Sequence, residues 1–200
     1  EAKATLDEKN QELADAKQEL ADGEQQLADA KQELADGWAD YYSGKAEAEQ
    51  KIADAIGKDS YLCDTDIDKD WLQNSFGLDL SKVDSYVAKQ NSIASVNPDT
   101  VIVLKTKDGY VADAVKALND NFAQMVSYIC QYPFGTAKVI NARLYQSGDY
   151  VIYVIAGASY DGDDAEAENK LAVSEYAKID EALKSVLGTL PENLAAVPEA

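Results

Sequence analysis

The sequence predicts an α+β protein in which a long N-terminal, coiled-coil-like helix precedes a small antiparallel sheet with helices packed on it. Near the N-terminus leucine recurs every seventh residue, strand-like apolar runs begin only after Gly57, and amphipathic helices alternate with those runs. After the long helix and a short one, the predicted order is β-β-α-β-β-α, which is typical of an antiparallel sheet with helices gathered on one face. We therefore divide the chain into a stalk helix (1–56), an α+β domain (57–188) and a C-terminal tail (189–200).

The stalk helix carries a heptad repeat in which one core position is leucine and the other is small. Glycine in a helix interior costs roughly 1 kcal/mol relative to alanine, so glycine at a core position indicates a partner helix that approaches closely. A strict period of seven predicts a left-handed supercoil. The predicted interaction seam consists of Leu13, Ala16, Leu20, Gly23, Leu27, Ala30, Leu34 and Gly37.

The α+β domain begins with a short helix and two strands. An aspartate at the start and a glycine at the end of "DKDWLQNSFG" (68–77) predict the helix. The mixed polarity of "VDSYVAKQNSI" (83–93) indicates an edge strand, and "VIVLK" (101–105) is a strand that is apolar on both faces. Such a strand needs cover on both faces. The long helix is one candidate for the second face, either folded back or from a neighbouring molecule.

A helix, a hairpin and a final helix complete the domain. Apolar residues recur at spacings of three and four from Val111 to Ile129, which predicts an amphipathic helix. The runs "AKVINARLY" (137–145) and "YVIYVIAGA" (150–158) predict two strands joined by a tight turn. Acidic residues in "DGDDAEAE" (161–168) suit the first turn of a helix whose apolar stripe continues to Gly188.

Composition excludes several classes of partner. The chain has 37 acidic and 18 basic residues, a formal net charge of −19. Nucleic acid and anionic lipid both require basic surfaces, so we expect neither as a partner. No apolar run approaches the roughly 20 residues that cross a bilayer. We expect membrane attachment only through an anchor that is not present in this chain.

The sequence predicts no enzyme, no catalytic residue, no cofactor and no metal site. It has no histidine and no glycine-rich phosphate loop. The aspartates of "CDTDIDKD" (63–70) resemble the start of a calcium loop, but the sixth and twelfth positions hold Lys69 and Ser75, which do not fit. A carboxylate-dependent hydrolase would need a cleft that holds two facing acids. Cys63 and Cys130 either form a disulfide in an oxidising compartment or remain thiols.

Grouped aromatic residues suggest a surface of a second kind. They could stack on sugars or dock a partner, or they could simply be core and half-buried strand residues. The three residues near the end of the heptads could instead anchor the stalk helix to the domain. The candidate aromatic surface consists of Trp38, Tyr41, Tyr42, Tyr145, Tyr150 and Tyr153.

The α+β domain resembles a bacterial family of extracytoplasmic lipoproteins that carry the domain of unknown function DUF4358. The resemblance rests on the strand ending in "LKTKDG", the amphipathic helix followed by "YP", and the hairpin "AKVINARLYQSGDYVIYVI". With the preceding "GLDLSKVDSYVAKQNS" it covers about residues 65–187. The family has no assigned catalytic residues. It implies an outer-surface location, usually reached through a lipidated cysteine that is absent here.

The heptads "ELADAKQELADGEQQLADAKQELADG" are similar to the coiled-coil stalks of Gram-positive permease-like proteins, over about residues 1–56. Together the two resemblances imply an extracytoplasmic protein at the surface of, or anchored to, a Gram-positive-type bacterium. We expect a non-enzymatic cell-envelope module whose helical stalk presents the α+β domain and binds a protein partner or a second copy. The alternative is a solute- or glycan-binding accessory domain of a membrane transporter.

Overall fold

The computed structural model describes residues 2–57, 63–92, 97–131 and 135–198. Within the first helix, side chains are described at residues 3 and 9, over 11–31 and over 47–56. The fold class is α+β, as predicted. The backbone forms two compact units, Glu1–Gly44 and Lys45–Ala200. The predicted long helix is present as α1 (Ala2–Gly57).

The second unit is built on a five-stranded antiparallel sheet with the strand order β1-β2-β3-β5-β4. In the middle of the sheet, Val103 of β3 pairs with Val87 of β2 on one side and with Ile152 of β5 on the other. In chain order the elements after α1 are β1 (Thr65–Asp66), α2 (Lys69–Asn74), β2 (Val83–Gln90), β3 (Thr100–Thr106), α3 (Val111–Ile129), α4 (Thr136–Ile140), β4 (Arg143–Ser147), β5 (Tyr150–Ile155) and α5 (Ala165–Leu187).

One face of the sheet is covered by α2, α3 and α4. We call this layer the α3-side core. Alternate strand residues point into it and meet the apolar stripe predicted for the helix at 111–129, which is confirmed. Its buried residues include Ile102, Leu104, Tyr153, Leu118, Phe122 and Val139.

The other face carries the α5-side core, so helices cover both faces of the sheet instead of one. The last turns of α1 and the apolar stripe of α5 pack against the strand residues that alternate with those of the first face. The predicted need for cover over 101–105 is therefore met in part by the end of the long helix. Because these turns pack on the sheet, the compact units divide after Gly44. The α5-side core includes Ile52, Ala53, Ile56, Val101, Val103, Ile152, Val154, Tyr176, Ile179 and Leu183.

One predicted strand is wrong in its first half. Residues 136–140 form the short helix α4, and β4 begins only at Arg143. Gly135, at a φ of +79°, precedes the helix, and the Asn141 side chain closes it with a hydrogen bond of 2.9 Å to the Ala137 carbonyl. In so short a run the alternation of apolar residues does not separate one helical turn from a strand. The two-residue strand β1 was also not predicted.

The helix caps follow the sequence. Asp68 accepts a hydrogen bond from the Trp71 amide at 2.7 Å, and Asp164 accepts two from the first turn of α5. Gly188, at a φ of +81°, ends α5. These caps confirm the predicted start of α2 and both predicted ends of α5, whereas α2 ends at Asn74, before the glycine predicted to end it.

The C-terminal segment, predicted as a separate tail, hydrogen-bonds along the outer side of β4. The Leu194 amide donates to the Leu144 carbonyl at 2.7 Å, and the Asn193 side chain accepts from the Leu144 amide at 2.8 Å. Asn119 of α3 donates to the Leu194 carbonyl at 3.0 Å. The segment around Leu194 therefore belongs to the second compact unit.

Candidate functional site

The predicted seam lies exposed on α1 wherever its side chains are described. Leu13, Leu20 and Leu27 are 54%, 64% and 57% exposed. The small residues between them, Ala16, Gly23 and Ala30, are exposed as well. Leu34 and Gly37 fall outside the residues whose side chains are described. Isolated exposed leucines are ordinary on protein surfaces, whereas three at one heptad position form a continuous apolar stripe.

The opposite face of this helix is polar and internally hydrogen-bonded. Three glutamine side chains each donate to an aspartate four residues later, at 2.8 Å in every case: Gln11 to Asp15, Gln18 to Asp22, and Gln25 to Asp29. These bonds satisfy the side-chain amides and carboxylates of the polar face within the helix itself. The leucine stripe is therefore the side of the described stretch that has apolar surface to bury.

The hairpin tyrosines do not form the surface proposed for them. Tyr145 and Tyr153 are buried, in the α5-side core and the α3-side core respectively, and thus lie on opposite faces of the sheet. Tyr150 is partly buried, with the Lys105 ammonium 5.4 Å from its ring centre. Tyr145 and Tyr153 are therefore core residues, which is the alternative interpretation of the grouped aromatic residues. Trp38, Tyr41 and Tyr42 lie outside the residues whose side chains are described.

A cleft lies where β3 begins and β5 ends, and its lining includes the lysine of a buried ion pair. Lys138 of α4 donates to an Asp99 carboxylate oxygen at 2.9 Å, with side-chain exposures of 7% and 3%. The same ammonium lies 3.3 Å from the Ser159 hydroxyl oxygen. Burial raises the pKa of Asp99, and the Lys138 ammonium opposes that rise. The pair holds α4 against the start of β3.

The cleft encloses about 350 Å³ and has mixed walls. Ile129, Leu171 and Ala172 line it with apolar surface, while Asp161 and Glu168 add carboxylates. This volume is at the lower end of the range typical of small-molecule sites. Its arrangement of one ammonium, one hydroxyl, two carboxylates and apolar walls suits hydrogen bonding to a small solute.

Sequence reasoning missed this cleft. In the sequence Asp99 precedes the predicted strand at 101–105, and Lys138 falls within the predicted strand at 137–145. The two residues are 39 positions apart, so their pairing depends on the fold. A lysine within the apolar run "AKVI" was the one available signal, because a charged residue at a buried position requires a partner.

The cysteines are unpaired and lie on opposite sides of the sheet. Cys63 packs on the α5-side core, and Cys130 is exposed at the end of α3. Burial, followed by the charges of Asp99 and Asp64, raises the pKa of the Cys63 thiol. A raised pKa keeps Cys63 as the thiol, which is a much poorer nucleophile than the thiolate. This residue is therefore not poised for covalent catalysis.

Two features are absent from the part of the chain that the structure describes. There, no cluster of three or more acidic or cysteine side chains is arranged to hold a metal ion. Within the same residues, no helix combines the length and apolarity needed to span a bilayer.

Comparison with known proteins finds a family match within the second unit. Residues 58–156 match the family model described as a domain of unknown function, DUF4358. The match begins just after α1 and ends at the first residue after β5, so it includes the sheet and leaves out α5. No curated protein and no solved structure matches the chain. Over residues 58–156, the chain therefore carries a domain of the DUF4358 family.

Proposed function

We propose that this protein is a non-enzymatic module of the bacterial cell envelope that binds a protein partner through the seam of α1. The observation that carries the proposal is the exposure of Leu13, Leu20 and Leu27 at intervals of seven residues. Burying a leucine side chain contributes roughly 1.5–3 kcal/mol. If a partner helix covered all three leucines, the free energy of burying them would offset part of the entropy lost on association.

The small residues between the leucines support a helical partner over an irregular one. Gly23 has open space where a β-carbon would be, with no described atom within 4 Å apart from its chain neighbours and the adjacent backbone of its own helix. A backbone can approach closely at such positions, which is of value chiefly when the approaching surface is another helix. In this proposal α1 is the stalk, and it presents the DUF4358 domain.

Photo-crosslinking tests the proposal. Leu20→p-benzoylphenylalanine places a reactive group on the seam, and Gln18→p-benzoylphenylalanine places it on the polar face as the matched control. In the bacterium that produces the protein, we expect a discrete adduct from position 20 and none from position 18. Absence of an adduct at position 20, or equal adducts at both positions, would refute binding through the seam.

The envelope location is part of the proposal and has its own test. It is supported by the resemblance of the domain to extracytoplasmic lipoproteins and by the high acidic content, which suits an exposed, solvated surface. Labelling of intact cells with a membrane-impermeant biotin reagent should modify the protein. Labelling only after lysis would place it inside the cell and remove this part of the proposal.

A second candidate function, binding of a small solute, is favoured by the cleft over Lys138. Thermal unfolding of the purified chain with a panel of monosaccharides and amino acids at millimolar concentration tests it, because a ligand that binds only the folded state raises the midpoint. Ser159→Ala removes a polar group from the cleft while keeping the ion pair. A solute that stabilises the wild type and not this variant would support the candidate. No shift with any member of the panel would count against it.

A further inference from the structure

We infer that the partner of α1 is a second copy of α1, paired antiparallel so that Leu20 faces the partner's Gly23. The inference rests on the proposed function and identifies its partner. In this arrangement the residue numbers of any two residues that face each other add up to 43. The three central layers are Leu13 with the partner's Ala30, Leu20 with the partner's Gly23, and Leu27 with the partner's Ala16.

Side-chain size favours the antiparallel pairing. A parallel pair places like residues together, so that leucine–leucine layers alternate with alanine–alanine and glycine–glycine layers. The first kind of layer pushes the helices apart and the second leaves gaps. In an antiparallel pair each layer combines one leucine with one small residue. The separation of the helices then stays constant, and close packing is maintained along the seam.

Charge distinguishes this antiparallel register from the two that lie one heptad away. Lys17, Glu24 and Lys31 occupy the same flanking position in successive heptads, so their signs repeat every fourteen residues while the leucines repeat every seven. In the inferred register Lys17 lies beside the partner's Glu24. The two residues are not directly opposite each other but are offset by two residues, or about 3 Å along the helix axis. Twofold symmetry creates this attractive pair twice.

A slip of one heptad reverses the interaction. In one direction Lys17 meets the partner's Lys31 and Glu24 meets the partner's Glu24. In the other direction Lys17 meets the partner's Lys17. Flanking charges of this kind set orientation and register in coiled coils. The leucines alone would permit all three registers, and the alternating charges disfavour two of them.

The residues that flank the other side of the seam do less to select the register. In the inferred register Glu19 lies beside the partner's Gln26, which is compatible, and Glu12 lies near the partner's Glu33. The latter pair is unfavourable, but it is at the end of the paired stretch, where solvent and salt screen it. A parallel pair would instead join Glu12 to the partner's Lys17 and oppose Glu19 to the partner's Glu24, so its charges cancel near the centre.

The groups required for this pairing are available on the described helix. The side chains of Lys17 and Glu24 are exposed, and neither takes part in an ion pair with any residue that the structure describes. Lys9, by contrast, is paired to Glu12 at 2.6 Å. The central attractive pair therefore forms without breaking an ion pair already present at Lys17 or Glu24.

Disulfide trapping in the full chain tests orientation and register together. In a Cys63→Ala/Cys130→Ser background, Ala16→Cys and Leu27→Cys are prepared as separate proteins. After oxidation we expect a covalent dimer from their mixture and little from either alone. Dimers from each protein alone would show a parallel pair. A mixture of Gln18→Cys and Gln25→Cys, on the polar face, is the matched control and should remain uncrosslinked.

Charge reversal followed by sedimentation gives an independent readout. Lys17→Glu and Glu24→Lys should each weaken dimerisation, by about tenfold in Kd, which corresponds to 1.4 kcal/mol. The double variant Lys17→Glu/Glu24→Lys should recover wild-type affinity. In a parallel dimer Glu24→Lys would instead strengthen association, because it would create an attractive pair with Glu19.

The outcomes separate this inference from the proposed function. A chain that sediments as a monomer at all accessible concentrations overturns the second-copy inference. A photo-adduct from position 20 whose mass differs from that of a dimer would then identify another protein as the partner, and the proposed function would stand. Absence of both the dimer and any adduct would refute the two together.

Discussion

Lys138 and Asp99 form an ion pair of 2.9 Å in which neither side chain is more than 7% exposed. The pair joins α4 to the residue that precedes β3, two elements that are distant in the sequence. Removing one member of such a pair leaves the other charge buried without a counter-charge, which is far more damaging than the pair is stabilising. The pair is therefore a sensitive test of the packing described for α4.

Lys138→Met should lower the free energy of unfolding by about 3–5 kcal/mol, because Asp99 would stay buried without its ammonium partner. Urea denaturation followed by circular dichroism measures the change. The double variant Asp99→Asn/Lys138→Met should be more stable than Lys138→Met alone. Lys116→Met, which breaks an exposed ion pair with Asp120, is the matched control and should change little. Equal effects of Lys138→Met and Lys116→Met would contradict the buried pair.

Two buried tyrosines should respond in opposite ways to loss of the hydroxyl. The Tyr176 hydroxyl donates to the Lys138 carbonyl at 2.9 Å and accepts from the Ala156 amide at 3.2 Å. Tyr176→Phe leaves both groups unsatisfied and should cost about 1–3 kcal/mol. The buried Tyr153 hydroxyl has no hydrogen-bond partner among the described residues, so Tyr153→Phe should be neutral or stabilising. Thermal unfolding of both variants checks this, and the reverse order of stability would refute it.

Glu49, on the last turns of α1, is buried against β2. Its carboxyl group accepts a hydrogen bond from the Ser85 hydroxyl, and its other oxygen has no partner among the described residues. Ser85→Ala should therefore destabilise the domain by about 1–3 kcal/mol. Glu49→Met removes the incompletely satisfied group and should be neutral or stabilising. Urea midpoints test both, and marked destabilisation by Glu49→Met would show that the carboxyl group is fully satisfied.

Stability should fall in acid partly through two exposed carboxylates. Hydrogen bonds from Ser92 and Ser81 lower the pKa of Asp64 and of Asp79, respectively. A folded-state pKa below the unfolded value contributes stability that is present above the unfolded pKa and is lost as pH falls through the folded one. Ser81→Ala should raise the pKa of Asp79 toward its ordinary value, as measured by NMR titration of the carboxyl carbon.

The control for this titration is Ser185→Ala, since the Ser185 hydroxyl donates only to a backbone carbonyl in the described structure. We expect no change in the pKa of Asp79 in that variant. An unchanged pKa in Ser81→Ala would show that the serine hydroxyl does not hold the carboxylate in its charged form.

The two cysteines should differ strongly in reactivity. Cys130 is exposed, whereas burial raises the pKa of the Cys63 thiol. Iodoacetamide at mildly alkaline pH should alkylate Cys130 first in the folded protein, and both residues only after denaturation. Peptide mass spectrometry at short reaction times measures the order. If Cys63 were modified as fast as Cys130, the structure around Cys63 would have to unfold locally and often.

The elements that could be predicted are those with a long, regular period. The apolar stripe of α3 and the strand at 101–105 that is apolar on both faces were visible from the local sequence, and so was the heptad spacing of leucine on α1. A seam of this kind is a property of one helix and needs no knowledge of the fold. This explains why Leu13, Leu20 and Leu27 were identified without the structure.

The features that were missed depend on contacts between distant residues. The α4 turn is too short to have a period, and β1 exists only because two residues pair with β2. The buried position of Lys138 follows from the packing of α4, and its role follows from a partner 39 residues away. Likewise, strand alternation places Tyr145 and Tyr153 on opposite faces of the sheet, but the burial of each tyrosine depends on the helices that cover its face.

The segment around Leu194 has a consequence for how this domain can associate. Outer strands of a sheet offer unpaired amides and carbonyls that another chain can extend. At Leu144, the second residue of β4, both groups are already bonded to Asn193 and Leu194. This margin of the sheet is thus closed by its own chain near the start of β4, which disfavours growth of the sheet by strand addition from a neighbour. Truncation before Asn193 would expose that margin and make the domain prone to edge-to-edge aggregation.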